Sequence, residues 1–236
     1  MFGTLYLIPC PIAEDVELNI SLPEGNREVV DSLDYFIVEN VRSARRFLSR
    51  LKLARKIDEL EFVELNEHTT SQGDIEAMMR PLLEGRSAGV ISEAGVPGVA
   101  DPGAQVVDVA HRKGVRVTPL VGPSSIIMAI MASGLNGQSF AFNGYLPIKP
   151  DQRGKAIRNF ERRAQSEGQS QLFIEAPYRN VKLFEQLVAT LSANTKLTVA
   201  ADITSSSEFI KTLSVEQWRR TTAPDIQKRP AIFIIG

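Results

Sequence analysis

Residues 89–125 constrain the fold most strongly, because they join two apolar segments through loops rich in glycine and proline. An apolar strand is predicted at residues 88–91 and a second at residues 115–120, with a helix between them. The glycines and prolines that follow these strands are Gly95, Pro97, Gly98, Pro102 and Gly103 in the first loop and Gly122 and Pro123 in the second. Such residues directly after a buried strand are typical of a backbone that approaches a ligand closely.

These two loops are predicted to form one pocket. In open α/β sheets, ligands bind outside the carboxyl ends of the strands, and strands one crossover apart end at the same edge. The alternative is that both loops are ordinary strand-to-helix turns. Two such loops at the same edge favour a pocket over ordinary turns more strongly than one loop would.

The whole chain is predicted to be an α/β protein with two domains, residues 1–121 and 122–236. Strands and helices alternate in the first domain, which indicates right-handed crossovers and a mainly parallel sheet. The close spacing of the last three strands predicts a mixed sheet in the second domain. The predicted strands are residues 4–8, 35–38, 61–65, 88–91, 115–120, 139–143, 171–174, 197–201, 209–213 and 231–235. Residues 165–170 are predicted to be a loop, and Ser71 to cap a helix.

The composition excludes several classes of protein. Of the 236 residues, 43% are hydrophobic and 23% charged, as in soluble globular proteins, and no apolar run approaches the roughly 18 residues of a membrane span. One cysteine and two histidines make a disulfide impossible and a metal site unexpected. The N-terminus lacks the basic start of a signal peptide, so we expect a cytoplasmic protein.

Charge is distributed unevenly despite a formal net charge of -1. Seven basic residues and no acidic residue lie between residues 42 and 56, namely Arg42, Arg45, Arg46, Arg50, Lys52, Arg55 and Lys56. This pattern is typical either of a solvated helix face or of a phosphate-binding patch. His68, after the third predicted strand, either contacts a substrate or satisfies a loop hydrogen bond.

The sequence lacks the motifs of several enzyme classes. It contains no G-x-G-x-x-G after a strand, no G-x-x-x-x-G-K-[ST], no G-x-S-x-G and no H-E-x-x-H. The residues therefore predict a ligand held largely by main-chain groups at strand ends. By themselves they indicate an α/β enzyme without defining its chemistry.

Six segments carry a family resemblance. They are GTLYLIPCPIAED, VENVR, VISEAGVPGVADPG, PLVGPSS, SGLNGQSFAFNGYLP and FIEAPYR. In this order they resemble the tetrapyrrole methylase superfamily, and most of all its members that methylate a ribose 2′-hydroxyl of cytidine in small-subunit ribosomal RNA. The resemblance implies an S-adenosylmethionine-dependent methyltransferase with its cofactor in a cleft between two α/β domains. It also implies an RNA substrate and a homodimer, without a membrane.

The resemblance further implies which residues contact the cofactor. In the first domain these are Cys10, Pro11, Glu93, Ala94, Gly95, Val96, Val99 and Ala100. Around and after the domain boundary they are Ser124, Ser125, Ile126, Glu175, Ala176, Asp202, Pro230 and Ala231. The free N–H groups at the start of the helix after Ser124 suit the methionine carboxylate. The alternative for Glu93 and Glu175 is that their side chains bind loop amides.

A ribose hydroxyl must lose its proton as it attacks, so we expect a general base. Glu39, His68 and Glu175 are the candidates near predicted strand ends, and Arg42 and Arg179 are candidates for binding an anionic substrate group. A positional or water-mediated mechanism is the alternative.

This chain departs from the pattern of the ribosomal enzymes in three motifs. The usual Glu-Asp-Thr-Arg, Ser-Asp-Ala-Gly and Glu-Leu-Thr-Lys are replaced by the segments that begin at Glu39, Ser92 and Asp202. Two rival functions therefore stay open: a methyltransferase for a small, tetrapyrrole-like molecule and a non-catalytic RNA-binding relative.

Overall fold

The structure is a computed structural model that describes residues 1–65 and 71–236. It divides into two compact units, Met1–Ser124 and Ser125–Gly236. The predicted domain boundary, between residues 121 and 122, falls just before this division. Within the described residues, no helix combines the length and the apolar character that crossing a membrane requires.

The first unit is a parallel sheet covered by helices on both faces. In chain order it contains β1 (Thr4–Ile8), α1 (Leu18–Ser21), α2 (Glu24–Asp31), β2 (Tyr35–Val38), α3 (Val41–Arg50), a 3-10 turn (Ile57–Glu59), β3 (Glu61–Glu64), α4 (Gln72–Leu83), β4 (Ala88–Ile91), α5 (Gly103–Lys113) and β5 (Arg116–Pro119). The strand order is β3-β2-β4-β1-β5, and each neighbouring pair is parallel. The prediction of a mainly parallel sheet is confirmed, and all its strands end at one edge.

Burial on both faces explains why these strands read as continuous apolar runs. Every residue of β2 and of β4 is buried. In β2, Tyr35 and Ile37 pack against α4 and α5, whereas Phe36 and Val38 pack against α2 and α3. Because successive side chains of a strand point to opposite faces, alternate residues of β2 belong to the two hydrophobic cores on either side of the sheet.

Local capping sets the ends of the helices around this sheet. The Asn40 side chain accepts a hydrogen bond from the Ser43 N–H at 3.0 Å, which fixes the start of α3. Ser71 caps α4 in the same way through the Asp74 N–H, as predicted. α5 ends at Gly114, whose φ of 73° lies in the left-handed region that glycine tolerates.

The second unit is built on a mixed sheet. In chain order it contains α6 (Ser125–Ser133), β6 (Phe140–Tyr145), α7 (Pro150–Glu167), β7 (Ser170–Ile174), a 3-10 turn (Pro177–Arg179), α8 (Asn180–Thr190), β8 (Lys196–Ala201), β9 (Phe209–Ser214), α9 (Val215–Arg220) and β10 (Ala231–Ile235). The strand order is β6-β7-β10-β8-β9. β6 and β7 are parallel, and the other neighbouring pairs are antiparallel, which confirms the predicted mixed sheet.

The predicted loop at residues 165–170 is wrong. α7 continues to Glu167 and ends where Gly168 adopts a φ of 62°, and β7 already begins at Ser170. The short helices α1 and α9 were not predicted. α9 is only six residues long and depends on a capping box between Ser214 and Gln217 rather than on an extended apolar pattern.

Gly122 allows the loop after β5 to lie directly against the loop after β1. A Cβ atom at this position would lie 2.2 Å from Cγ of Pro9. We expect Gly122→Ala to lower the free energy of unfolding by about 1–3 kcal/mol, because the rigid ring has to move. Urea unfolding measures this loss. Gly137→Ala is the control, since its Cβ would meet nothing within 4 Å, and equal midpoints for the two variants would contradict the close contact.

Candidate functional site

The loops after β1 and β4 are joined by a pair of backbone hydrogen bonds. The Cys10 N–H donates to the Gly95 carbonyl at 2.8 Å, and the Gly95 N–H donates to the Cys10 carbonyl at 3.1 Å. Gly95 has a φ of 71°, a conformation that favours glycine. The structure therefore brings together two of the predicted cofactor residues at the edge where the parallel strands end.

Asp101 organises the rest of the loop after β4. Its Oδ1 atom accepts hydrogen bonds from the N–H groups of Gly98, at 2.9 Å, and Gly103, at 2.7 Å. Just before it, Ala100 has a φ of 56°, and a left-handed residue other than glycine costs about 1–3 kcal/mol. The sequence interpretation missed Asp101, although an Asp-Pro-Gly segment is typical of side chains that bind nearby backbone amides.

Glu39 lies at the end of β2 beside this loop. The Glu93 N–H donates to Oε2 of Glu39 at 3.3 Å. Burial raises the pKa of the Glu39 carboxyl above its usual value, and the carboxylates of Asp101 and Glu93 add to the rise, although the Glu93 N–H opposes it. A carboxyl group with a raised pKa is suited to accept a proton nearer neutral pH.

A cavity of about 360 Å³ opens between these loops and α3. It is lined by Cys10, Pro11, Ile12, Ala13, Glu14, Ser43, Arg46, Phe47, Arg50, Ser92, Glu93 and Ala94. Four of the predicted cofactor residues thus share one cavity. Arg46 and Arg50 belong to the basic stretch for which a phosphate-binding patch was one of two interpretations, whereas Ser43 and Phe47 were not predicted as site residues.

The Cys10 thiol is unsuited to chemistry in this cavity. The side chain is buried, and burial, with a smaller effect of Asp101, raises its pKa to about 12. A thiol with such a pKa stays protonated and is a poor nucleophile. Cys10 therefore contributes backbone hydrogen bonds and packing.

The other predicted residues of the first unit are not among those that line this cavity. Val96 is half-buried, and Val99 and Ala100 are exposed on the same loop. Ser124 is half-buried at the end of the unit, and Arg42 is exposed on the first turn of α3. His68 lies outside the described residues. The roles assigned to these residues stay predictions.

In the second unit, Glu175 is held by its own neighbours. Its Oε1 accepts hydrogen bonds from the Ala176 N–H at 2.8 Å and from Nε and Nη2 of Arg179 at 2.9 and 2.6 Å. Nη1 of Arg153 lies 3.8 Å from Oε2, and the Glu175 side chain is 0% exposed. The structure thus places Glu175 as an anchor for Arg179, in addition to the catalytic and cofactor roles predicted for it.

Asp202 and the segment before β10 meet at the same edge of the second sheet. The Asp202 N–H donates to the Pro230 carbonyl at 3.0 Å, and its Oδ2 accepts from Nε of Arg229 at 2.7 Å. Asp202 has a φ of 49°, another left-handed residue other than glycine. Because Ala231 pairs with the last residue of β8, the predicted contacts Asp202, Pro230 and Ala231 are adjacent.

Glu175 belongs to this edge as well, since Ile174 of β7 pairs with Ile232 of β10. Ser125 and Ile126, which are half-buried, open α6 and supply the first-turn N–H groups that a helix leaves unpaired. The predicted cofactor residues of this unit are therefore concentrated at the ends of its elements. Their contact with a cofactor remains a prediction.

The chain was compared with curated proteins, solved structures and family models. It is 26% identical to the ribosomal RNA small subunit methyltransferase I of Vibrio cholerae, over 98% of this chain and 75% of that protein. It is 27% identical to the protein of the same name from Escherichia coli O157:H7, over 99% of this chain and 77% of that protein. No family model matches. The chain is thus similar over nearly its whole length to proteins that carry this name.

Solved structures show the same fold. The methyltransferase CobJ aligns over 99% of this chain and 94% of its own length, with a TM-score of 0.65 and 13% identity. Uroporphyrin-III C-methyl transferase from Thermus thermophilus, complexed with S-adenyl homocysteine, aligns over 99% of this chain and 97% of its own, with a TM-score of 0.55 and 17% identity. The predicted α/β fold class is confirmed.

The anchoring of Glu175 predicts a large loss of stability when its carboxylate is removed. We expect Glu175→Ala to lower the free energy of unfolding by about 3 kcal/mol or more, because the Ala176 N–H and Arg179 lose their acceptor and the buried Arg153 loses its ion-pair partner. Chemical denaturation measures the loss. The control is Glu185→Ala on the exposed side of α8, with an expected change within about 0.5 kcal/mol. A similar effect of both variants would contradict the anchoring role.

Proposed function

We propose that this chain is an S-adenosylmethionine-dependent methyltransferase that methylates a ribose 2′-hydroxyl of small-subunit ribosomal RNA. The observation that carries the proposal is homology to ribosomal RNA small subunit methyltransferases I over 98 to 99% of the chain. The names of these relatives confirm the predicted enzyme class. The demethylated donor in the Thermus thermophilus structure supports S-adenosylmethionine as the cofactor.

The residues at the edge of the first sheet fit such a donor. Its sulfonium is positively charged, and the carboxylates of Glu93 and Asp101, on the loop after β4, are close enough to that of Glu39 to raise its pKa. Main-chain groups of Cys10 and Gly95 are fixed beside them by their mutual hydrogen bonds. We propose that this loop binds the donor, which supplies an electrophilic methyl group when bound.

Glu39 is the residue we propose as general base. Its carboxylate would take the proton of the acceptor hydroxyl, whose oxygen would receive the methyl group, while the electron pair of the broken carbon–sulfur bond would stay with the donor as a neutral thioether. The raised pKa brings this carboxyl closer to the working pH, which favours proton transfer. Glu175 is less suited, because its side chain is 0% exposed and bound to Arg179.

Calorimetry and methyl transfer test the proposal. Titration with S-adenosylmethionine is expected to release or absorb heat. If no heat of binding is measured, the result favours the non-catalytic alternative. Small ribosomal subunits from a strain lacking the gene are then incubated with enzyme and methyl-labelled donor. A 2′-O-methyl group blocks alkaline cleavage of the next phosphodiester, so the label is expected in alkali-resistant dinucleotides. Label in mononucleotides, or only in added uroporphyrinogen, would overturn the ribose assignment.

Glu39 predicts a defined pH dependence. Because only the ionised carboxylate accepts a proton, the rate of single-turnover transfer is expected to rise with pH through the raised pKa of Glu39. Asp101→Asn removes a carboxylate that raises this pKa, so the rise is expected at lower pH. Glu39→Gln is expected to slow transfer about 10²–10⁴-fold at pH values above this pKa and to abolish the rise with pH.

The control for this series is Glu28→Gln, which changes an exposed carboxyl on α2. It is expected to leave the pH profile unchanged. A rise at the same pH in the wild type and in Asp101→Asn, with both proteins folded, would exclude Glu39 as the base.

The proposal also includes a cytoplasmic homodimer. Ribosomal RNA as the substrate supports the cytoplasm, and the family resemblance supports the dimer. Light scattering coupled to size-exclusion chromatography measures the mass directly, and 26.0 kDa is the mass of one chain.

A further inference from the structure

Three arginines form one stripe along α3. Arg42, Arg46 and Arg50 are spaced by four residues, which places them on neighbouring turns of the same helix face. The buried residues Ala44 and Leu48 lie on the opposite side, against the sheet. Arg46 and Arg50 both line the cavity between α3 and the loops after β1 and β4.

The positive charge of this stripe is only partly compensated. Nη2 of Arg50 donates to the Val16 carbonyl at 2.5 Å, which positions the guanidinium without neutralising it. Neither Arg50 nor Arg42 forms an ion pair with a residue that the structure describes. A guanidinium that is held in place and keeps its charge is well suited to bind a phosphate.

Arg46 has a partner that an anion can replace. Nη2 of Arg46 lies 2.7 Å from Oε1 of Glu14, but the two side chains are 63% and 82% exposed. Exposed ion pairs are worth little, about 0–1 kcal/mol, because water screens them. A phosphate therefore competes with Glu14 at small cost.

Other basic residues of the same region lie off the stripe and contact other side chains of the unit. Arg45 is paired with Asp58 and lies over the ring of Phe62, with 5.7 Å between the guanidinium carbon and the ring centroid. Nη1 of Arg55 lies 3.4 Å from Oδ2 of Asp34. The basic stretch thus contains Arg45 and Arg55, which pair with carboxylates away from the cavity, and the exposed stripe, of which Arg46 and Arg50 line the cavity.

We propose that the stripe Arg42-Arg46-Arg50 binds the phosphodiester backbone of single-stranded RNA, with one nucleotide on the α3 side of the adjoining cavity, whose other side includes the proposed donor loop. This inference rests on the proposed function and names the part of that substrate which α3 recognises. The cavity volume of about 360 Å³ is within the range of small-molecule sites. Its lining combines apolar surface from Ile12 and Phe47 with the Ser43 hydroxyl, which suits a base and a ribose.

The test is the salt dependence of RNA binding. A fluorescein-labelled, single-stranded RNA of mixed sequence is titrated with wild type and with Arg42→Gln/Arg46→Gln/Arg50→Gln between 50 and 200 mM salt. Each phosphate contact adds about 0.7 to the magnitude of the slope of log K against log salt. The triple variant lacks three such contacts, so the magnitude of its slope is expected to be lower by about 2. Over this range the wild type is then expected to lose about 16-fold more affinity than the variant.

Two controls separate the stripe from other effects. Arg45→Gln removes a positive charge from the same helix at a residue paired with Asp58, and is expected to keep the wild-type slope. Arg112→Gln does the same on α5, where Arg112 pairs with Asp108. An unchanged slope in the triple variant, or an equal decrease in Arg45→Gln, would overturn the proposal. So would a triple variant that loses binding of uroporphyrin, a carboxylated tetrapyrrole, and keeps the RNA slope.

The same variants distinguish this inference from the proposed function. If the wild type binds the donor and transfers methyl groups but the triple variant has the wild-type slope, the RNA-binding role of the stripe is wrong and the proposed function stands. If the triple variant has a decreased slope but the wild type does not bind the donor, the RNA site stands and the proposed methyltransferase function is wrong.

Discussion

The two backbone hydrogen bonds between Cys10 and Gly95 determine the shape of the edge where β1 and β4 end. Parallel neighbours run side by side, and their following loops are free to separate. Here the loops are joined antiparallel after the strands have ended, which is possible because Gly95 adopts a φ of 71°. The close approach of Gly122 to Pro9 adds the loop after β5 to the same surface. One sheet edge thus becomes a continuous, largely main-chain surface.

Strand positions followed from the sequence wherever a short apolar run was bounded by glycine, proline or polar residues. Strands Thr4–Ile8, Tyr35–Val38 and Ala88–Ile91 lie where they were predicted, because burial on both faces leaves an uninterrupted apolar signal. Helix ends were harder to predict. In α7, Gly168 sets the end rather than the polar residues before it, and α9 depends on a local capping box that has no apolar period.

The sequence predicted which loops form the candidate site, but it did not predict the side-chain hydrogen bonds within them. Sequence placed Glu39, Glu93 and Glu175 at strand ends, since the strands themselves were clear. It could not show that Glu175 turns back onto Arg179, or that Asp101 collects the amides of its own loop. Such contacts depend on backbone angles after the strand, and the sequence pattern does not report them.

The sequence also does not show which of the charged side chains pair with each other. A formal net charge of -1 and a run of seven basic residues are both correct, yet neither says which guanidiniums face solvent without a carboxylate. That depends on the helical period, which sends Arg45 toward Asp58, and on Arg50 meeting a carbonyl instead of an acid. Since a carbonyl positions a guanidinium while leaving its charge intact, the neutral total conceals a local field beside the cavity. The RNA binding that we propose for this nearly neutral protein depends on cations that have no carboxylate partner among the described residues, and α3 holds Arg42 and Arg50 of this kind within ten residues.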